Sequence, residues 1–344
     1  MTAMESVKSE NRNTGGLKLT VVLVTRESFR TIRRTVQALR AQTIADEIEL
    51  IVVATSREAV NDFRPGELEG FGRVEVIPVG SIRCTDKAAP KGMLRATAPV
   101  VAWIEDHVFP EANWAEEIVK VHEGPWAVVN GRMINANPET ALSWANIFLS
   151  HRAELDPRAG EWREVFTSHN ASYKKAVLET YGDELERYMG HGGDLQRDLL
   201  QKGHRLYIHL DARYHHLQMS TWHPIIPYRF ALGRHFAATR VRQNRWGWGR
   251  RFAYVVAGPL IPVVQLTRLI KCIMQFGQFP RVLPPVVLGL VMEGLGEMVG
   301  YAAGEGNAID RMAGFEEDRP RHMSRGDRLA YEATADAAVP HPVA

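Results

Sequence analysis

The chain has 344 residues, room for one large domain or two, and its 45% hydrophobic and 24% charged residues are typical of a globular protein. A formal net charge of +2 predicts no particular partner. Its two cysteines, Cys84 and Cys272, argue against a disulfide-stapled secreted protein and favour a reducing compartment. Residues 1–16 are polar and lack the apolar core of a signal peptide, so they predict a disordered leader.

The first 130 residues alternate between short apolar runs and segments with helical spacing. Ser28 is placed to cap the first helix, in which Phe29, Ile32 and Val36 recur at helical intervals. Strands that alternate with helices indicate βαβ units and a mainly parallel sheet. The predicted strands are 17–25, 48–53, 73–79, 100–104 and 126–130.

Three polar residues follow directly after the fourth predicted strand: Glu105, Asp106 and His107. In an open α/β sheet, ligands bind beyond the carboxyl ends of the strands. Two carboxylates and an imidazole suit a divalent cation. The same three residues also fit an ordinary turn or helix cap, so this stretch alone leaves both interpretations open.

From residue 135 onward the pattern changes. Residues 137–140 begin a helix, 168–182 combine a short strand with a helix, and a further helix over 194–202 ends before Gly203. A strand over 204–209 follows. We interpret residues 135–164 as a candidate acceptor side of a site.

The last third of the chain is basic and aromatic. No Asp or Glu occurs from Ala212 to Met292, while arginines alternate with Phe and Trp. Such a mixture suits a bilayer interface, where arginines meet lipid phosphates and indole rings lie at headgroup depth. RNA binding is the competing interpretation.

Two apolar segments, 253–270 and 283–303, lie in or just beyond this basic region. The first contains Gly258-Pro259, and the second carries Glu293 and Glu297, so neither has the uninterrupted apolar length of a clean membrane span. They predict helices that lie in the interface or form a shallow re-entrant pair. The alternative is two helices packed on the soluble domain. Residues 305–344 are polar and predict a disordered tail.

The succession from Leu17 to Leu217 resembles the family-two inverting glycosyltransferases of the GT-A fold. Val22-Leu-Val-Thr25 and the helix that leads to Gln42-Thr43 are similar to the family's opening strand, loop and helix. The run Val100-Val-Ala-Trp-Ile-Glu-Asp-His107 occupies the place of the acidic metal motif. Asn170-Ala-Ser-Tyr-Lys-Lys-Ala-Val-Leu178 resembles the acceptor-side strand and helix.

The resemblance implies an α/β fold of GT-A type, with a mostly parallel, Rossmann-like sheet flanked by helices. Together with the C-terminal pattern, it predicts a helical membrane-interface extension. The domains would then be a leader at 1–16, a glycosyltransferase domain at 17–222, a membrane-associating region at 223–304 and a tail at 305–344.

The resemblance also implies roles for individual residues. The donor would be a nucleotide-diphosphate sugar bound with Mn²⁺ or Mg²⁺, and an acceptor hydroxyl would displace the nucleotide with inversion. Asp194 is the candidate general base. The implied metal ligands are Asp106, His107 and His216, and the implied donor-binding residues are Thr25, Glu27, Ser56, Lys91 and Glu105.

Three positions depart from the family pattern. The loop after the second strand reads Ala54-Thr-Ser56 where the family offers an aspartate to the base, and Glu-Asp-His replaces the aspartate triplet. The family's catalytic aspartate would fall at Gly192, two residues before Asp194. These departures motivate an alternative: a catalytically silent scaffold that binds nucleotide sugar at the membrane.

We therefore interpret the chain as a membrane-associated glycosyltransferase at the cytoplasmic face. Its expected partners are a nucleotide sugar, a lipid-linked or polysaccharide acceptor and the membrane surface. No nucleic acid is expected. A membrane-surface or RNA-binding module without glycosyl transfer is a third hypothesis.

Overall fold

A computed structural model describes residues 16–64, 66–156, 158–189, 193–316 and 319–335. Except for Gly16, the predicted leader lies outside the described residues, and so do Gly192 and the end of the predicted tail. The chain divides into two compact units. Among the described residues, one contains those up to Ile134 together with Asp156–His216, and the other contains Asn135–Leu155 and those from Leu217 to residue 335.

Strands make up the centre of the first unit. In the described residues they form one sheet, in the order β3-β2-β1-β4-β8-β6-β9-β5, with β7 paired to β9. The strands are β1 (Leu19–Thr25), β2 (Ile48–Ala54), β3 (Arg73–Pro78), β4 (Val100–Trp103), β5 (Val108–Pro110), β6 (Trp126–Asn135), β7 (Gly160–Trp162), β8 (Ala171–Lys174) and β9 (Arg205–His216).

Helices complete both units. They are α1 (Phe29–Arg40), α2 (Thr85–Met93), α3 (Trp114–His122), α4 (Ala141–Ser150), α5 (Lys175–Glu179), α6 (Leu185–Tyr188), α7 (Asp194–Gln201), α8 (Trp222–Asn244), α9 (Trp248–Val256), α10 (Ile261–Gln275), α11 (Leu283–Ala303), α12 (Ala308–Glu316) and α13 (Arg325–Ala335). The second unit contains α4 and α8 to α13.

The parallel part of the sheet consists of β3, β2, β1 and β4. Every residue of β1, β2 and β4 is buried, as expected of parallel strands covered on both faces. Beyond β4 the pairing becomes antiparallel, first with β8 and then between β8 and β6. The α/β fold class predicted from the sequence is confirmed.

A buried carboxylate links the parallel strands. Glu49 in β2 is fully buried and accepts hydrogen bonds from the Thr20 hydroxyl, the Thr97 backbone N–H (2.7 Å) and the Arg73 guanidinium. A buried charge needs such partners because it has lost its hydration. Glu49 therefore connects β1, β2 and β3 with the turn that leads into β4.

The N-terminus of α1 is capped from a distance. The Asp62 carboxylate accepts hydrogen bonds from the backbone N–H groups of Phe29 (2.8 Å) and Arg30 (3.2 Å). The first N–H groups of a helix have no partner within the helix, so a carboxylate here stabilises the helix start. The loop after β2 is thereby fixed next to the carboxyl end of β1.

In the second unit, α8 and α11 approach each other closely because glycines lie at their contact. A Cβ atom at Gly296 would come within 2.0 Å of the Phe230 carbonyl oxygen, and one at Gly233 within 2.0 Å of the Glu293 carbonyl oxygen. Neither distance is sterically allowed, so a side chain at either glycine would force the two backbones apart.

Charged side chains are buried between these helices. Arg229 of α8 is fully buried and donates from Nη2 to the Asn146 carbonyl and side-chain oxygens and to Ser150 Oγ. Glu293 of α11 has its Oε2 3.8 Å from Arg229 Nη1. Burial raises the pKa of Glu293 to about 7 despite the opposing charge of Arg229.

The structure differs from the predicted domain boundaries in two places. Residues 135–155 group with the C-terminal helices and not with the sheet. Within the predicted disordered tail, α12 and α13 form because Met312 is buried against α8 and Ser220 Oγ donates to the Asp327 carboxylate at 2.5 Å. Apolar residues at helical spacing in a polar sequence supply this packing face.

One described helix, α11, is long and apolar enough to cross a membrane, and half of its apolar window is buried within the protein. The pair formed by α9 and residues 258–275, bent by 50°, meets the same criterion when its two parts are taken together.

The buried Glu293 makes the stability of the helical unit pH-dependent. Because its pKa is raised in the fold, the stability it contributes is full below its unfolded pKa and is lost as the pH rises through about 7. We expect Glu293→Gln to raise the free energy of unfolding by up to about 3 kcal/mol near pH 8 and to have little effect near pH 4.5. Urea denaturation at both pH values measures this difference.

The matched control is Glu305→Gln. A hydrogen bond from His235 lowers the pKa of Glu305 to about 2, so its ionised form stabilises the fold and its loss destabilises the protein near pH 8. If Glu293→Gln changed stability equally at both pH values, packing and not ionisation would be the cause.

Candidate cation and donor site

The three polar residues identified in the sequence lie at the carboxyl end of β4. Glu105, Asp106 and His107 form the short connection between β4 and β5. Antiparallel pairing of β5 with β9 sets Val108 opposite His216. Two segments more than a hundred residues apart in sequence are thereby joined at this end of the sheet.

The ligand atoms of Glu105, His107 and His216 all lie within 4.8 Å of one another. Glu105 Oε2 is 3.2 Å from His216 Nε2, and Glu105 Oε1 is 3.7 Å from His107 Nε2. The two imidazole rings meet edge to face, with 4.7 Å between centroids. We call these three residues the cation set.

Asp106 lies behind His107. Its Oδ1 is 2.7 Å from His107 Nδ1, and its backbone carbonyl accepts a hydrogen bond from Thr35 Oγ1 at 2.8 Å. His107 Nε2 is buried and has no hydrogen-bond partner among the described residues. Because the Asp106 carboxylate accepts the proton of Nδ1, His107 keeps a free lone pair on Nε2, as metal-binding histidines do. The structure therefore places Asp106 in an outer position and not within the cation set.

Two neighbouring residues contact Glu105 although the sequence did not predict it; Asn170 was expected only as the start of the acceptor-side strand. His169 Nε2 is 3.6 Å from Glu105 Oε2. Asn170 holds Glu105 twice: its Nδ2 donates to Glu105 Oε2 at 2.7 Å, and its Oδ1 accepts from the Glu105 backbone N–H at 3.1 Å. Asn170 has a left-handed backbone with φ +59°, a conformation that asparagine tolerates better than most residues. The antiparallel pairing of Trp103 with Ala171 brings the residues just before β8 next to those just after β4, and the sequence gives no signal of that register.

The Glu105 carboxylate is the negative centre of the site. Burial opposes its ionisation, but the electrostatic interactions with His169, His107 and His216 outweigh that effect and hold the pKa of Glu105 well below its usual range. Glu105 is therefore available as an anionic ligand at neutral pH. Two imidazoles and one carboxylate, with an unpartnered Nε2, fit a divalent cation such as Mn²⁺, and a set poorer in oxygen ligands fits Mg²⁺ less well.

Four of the predicted donor-binding residues lie elsewhere in this unit. Thr25 is buried and donates its hydroxyl to the Ser28 carbonyl at 3.0 Å, and Ser56 Oγ accepts from the Ala59 N–H at 3.1 Å. Lys91 Nζ pairs with Glu186 Oε2 at 3.2 Å. Glu27 is exposed on the loop after β1. Thr25, Ser56 and Lys91 thus bind local partners, and only Glu105 of the five donor-binding predictions lies in the cation set.

Asp194 is the first residue of α7, and its Oδ1 is 3.0 Å from Arg197 Nη1. Two residues on, Gln196 accepts a hydrogen bond from the Phe166 N–H and donates one to the Thr167 carbonyl. Gln196 thus fixes α7 to the segment that leads to His169. Asp194 is therefore connected to the site through the segment that leads to His169, and it is not a member of the cation set.

Comparisons with solved structures find distant similarity along most of the chain. A mannosyltransferase, PcManGT from Pyrobaculum calidifontis in complex with GDP-Man and Mn²⁺, is 13% identical, with a TM-score of 0.49, over 96% of this chain and 82% of that one. S. aureus TarS 1–349 is 11% identical, with a TM-score of 0.43, over 92% of this chain and 91% of that one.

No curated protein matches the sequence. The sequence model of glycosyl transferase family 2 matches residues 20–182. This segment includes Glu105, His107 and Asn170 and ends before Asp194 and His216. Residues 20–182 of this chain are therefore similar in sequence to glycosyl transferase family 2.

Proposed function

We propose that this protein transfers a sugar from a nucleotide-diphosphate-sugar donor to an acceptor hydroxyl with inversion at the anomeric carbon. The observation that carries the proposal is the cation set at the carboxyl end of β4, since two of its members, Glu105 and His107, lie in the segment that matches the glycosyl transferase family 2 model. This is the end of a parallel sheet where α/β proteins bind their ligands.

The cation set is the proposed anchor for the donor diphosphate. These three residues would hold a divalent cation, which would supply positive charge opposite the leaving nucleoside diphosphate. His107 and His216 offer imidazole nitrogens and Glu105 offers a carboxylate oxygen. Asp106 keeps His107 in the tautomer with Nε2 free, and Asn170 fixes the orientation of the Glu105 carboxylate.

Asp194 is the proposed general base. In the displacement, the acceptor oxygen forms a bond to the anomeric carbon, the bond to the diphosphate oxygen breaks, and the hydroxyl proton passes to the carboxylate. Its support is positional, because Gln196 links α7 to the segment that leads to His169. With a single displacement, no covalent glycosyl-enzyme intermediate forms.

We further propose a lipid-linked or polysaccharide acceptor at the cytoplasmic face of a membrane. Support comes from the stretch from Ala212 to Met292, most of which lies in the second unit and which carries many arginines and no acidic residue. A lipid-linked acceptor would be presented at the surface that such a stretch favours.

One observation favours a second candidate, a nucleotide-sugar-binding scaffold without turnover. The carboxylate of Asp194 is already paired with Arg197 at 3.0 Å, and Asp198, the other carboxylate of α7, is paired with Lys202 at 2.7 Å. A scaffold of this kind would bind nucleotide with the cation and leave the sugar in place.

Replacing the proposed base should remove transfer but not binding. We expect Asp194→Asn to lower donor turnover by about 10²- to 10⁴-fold with little change in nucleotide affinity, because only proton transfer is lost. Turnover is measured with a panel of UDP-, GDP- and dTDP-sugars in the presence of Mn²⁺ or Mg²⁺.

Asp198→Asn is the control for Asp194→Asn, since Asp198 lies on the same helix and pairs with Lys202 at 2.7 Å. It should retain wild-type turnover. Equal rates for wild type and Asp194→Asn would eliminate Asp194 as the base, and wild-type protein that binds nucleotide but turns over no donor would support the scaffold.

The cation set makes a separate prediction about metal binding. We expect His107→Gln to abolish Mn²⁺ binding and Asp106→Asn to weaken it by about 10- to 100-fold, since a partner on Nδ1 strengthens a histidine ligand. Electron paramagnetic resonance of free Mn²⁺ measures the affinity without any need for turnover.

The control is His209→Gln. His209 belongs to the other described group with metal-ligand spacing, which consists of Glu117, His209 and Asp211. Its Mn²⁺ affinity should equal that of the wild type. If His209→Gln weakened Mn²⁺ binding and His107→Gln did not, the cation would bind at α3 and β9 instead.

A further inference from the structure

The polarity of α11 is reversed relative to a helix on a water-facing surface. Its two acidic residues, Glu293 and Glu297, are buried, whereas its outer face carries Val287, Leu288, Val291 and Leu295. Leu295 is 45% exposed. A surface helix in water buries its apolar stripe and exposes its charges. The outer face of α11 is therefore built for an apolar environment.

The buried acids have partners inside the unit. Glu297 Oε2 accepts hydrogen bonds from Arg240 Nη1 at 2.6 Å and from the Tyr301 hydroxyl at 3.0 Å. Glu293 faces Arg229. These inward contacts fix the rotation of α11, so its apolar side chains point outward as a consequence of the fold.

Helix α9 adds a second apolar stripe. Trp248, Phe252 and Val256 recur every fourth residue and are exposed, and Trp248 reaches 76%. Arg251 fixes α9 to α11 by donating to the carbonyls of Tyr301 and Ala302 at 2.7 and 2.9 Å. The inward arginine and the outward aromatic residues give α9 the same direction of polarity as α11.

Helix α10 changes character along its length. Its first turns expose Val263 and Val264, and its later turns expose Arg268 and Lys271. Pro262 packs on α11, with its Cδ 3.2 Å from the position of a Cβ at Gly294. The apolar half of α10 thus extends the surface of α11, and its cationic half borders that surface.

We infer that the outer face of α9, α10 and α11 inserts into one leaflet of a bilayer that contains anionic lipid. We call this surface the insertion face and define it by Trp248, Phe252, Val256, Val263, Leu288 and Leu295. The apolar side chains would lie among the acyl chains, and Arg268 and Lys271 at the border would contact lipid phosphates. This inference rests on the membrane-surface part of the proposed function and not on glycosyl transfer.

Charge distinguishes a bilayer from the other occupants. A second copy of the chain would set the same cations against each other, because a two-fold contact pairs a surface with itself. A nucleic acid would neutralise Arg268 and Lys271 but leave Trp248 and Leu288 in water. An anionic bilayer satisfies both the apolar stripes and the cations.

Vesicle flotation of the full-length protein tests the inference. We expect the wild type to float with vesicles of phosphatidylcholine and phosphatidylglycerol. The double variant Phe252→Glu with Leu288→Glu should lower the bound fraction by more than about tenfold, because it puts two carboxylates into the hydrocarbon. The matched control is Leu329→Glu on α13, which is 56% exposed outside the insertion face and should bind as the wild type does.

Removing the bordering positive charges tests the inference independently. Arg268→Gln with Lys271→Gln should weaken binding to anionic vesicles by about fivefold for each charge removed, and should leave binding to pure phosphatidylcholine unchanged. Both side chains are exposed, so thermal unfolding should not change.

Three results would overturn the inference. The first is that the wild type floats with neither kind of vesicle. The second is that the wild type and the Phe252→Glu, Leu288→Glu variant float equally. The third is that light scattering shows the wild type to self-associate without binding vesicles, and that this variant no longer self-associates. Asp194→Asn should float as the wild type does. Loss of transfer with intact flotation would therefore refute only the catalytic proposal.

Discussion

The site depends on one constraint above all: the Glu105 carboxylate is held among three imidazoles at the end of a buried parallel strand. Antiparallel pairing brings the partners there, since β8 delivers His169 and Asn170 and β9 delivers His216. A carboxylate removed from water in this way is costly unless it is surrounded by donors and positive charge. The same arrangement leaves ligand atoms facing one another, which is the requirement for binding a cation.

The helical unit also contains buried carboxylates, and there arginine side chains compensate for the lost hydration. Glu293 and Glu297 turn inward to arginines of α8, and the apolar residues of α11 are left outside. Read as a linear sequence, two acids in an apolar segment count against contact with a membrane. In the folded protein the two acids instead favour contact with a membrane, because their burial leaves the apolar stripe of α11 exposed.

Much of the first unit could be predicted from the sequence. The buried strands of the parallel sheet have continuous apolar runs, and the position of Glu105, Asp106 and His107 follows from where β4 ends. The roles of His169 and Asn170 could not be predicted, because they depend on the register between β4 and β8. Local pattern also failed to predict α12, whose helix depends on the burial of Met312 against α8.

The central claim is that Glu105, His107 and His216 form a cation-dependent site for a nucleoside diphosphate. Isothermal titration of the full-length protein with UDP and with GDP, each with and without Mn²⁺, tests it most directly. We expect one of the two nucleotides to bind at least about tenfold more tightly with Mn²⁺ than without it. Nucleotide binding of equal affinity with and without Mn²⁺, or no binding of either nucleotide, would contradict it.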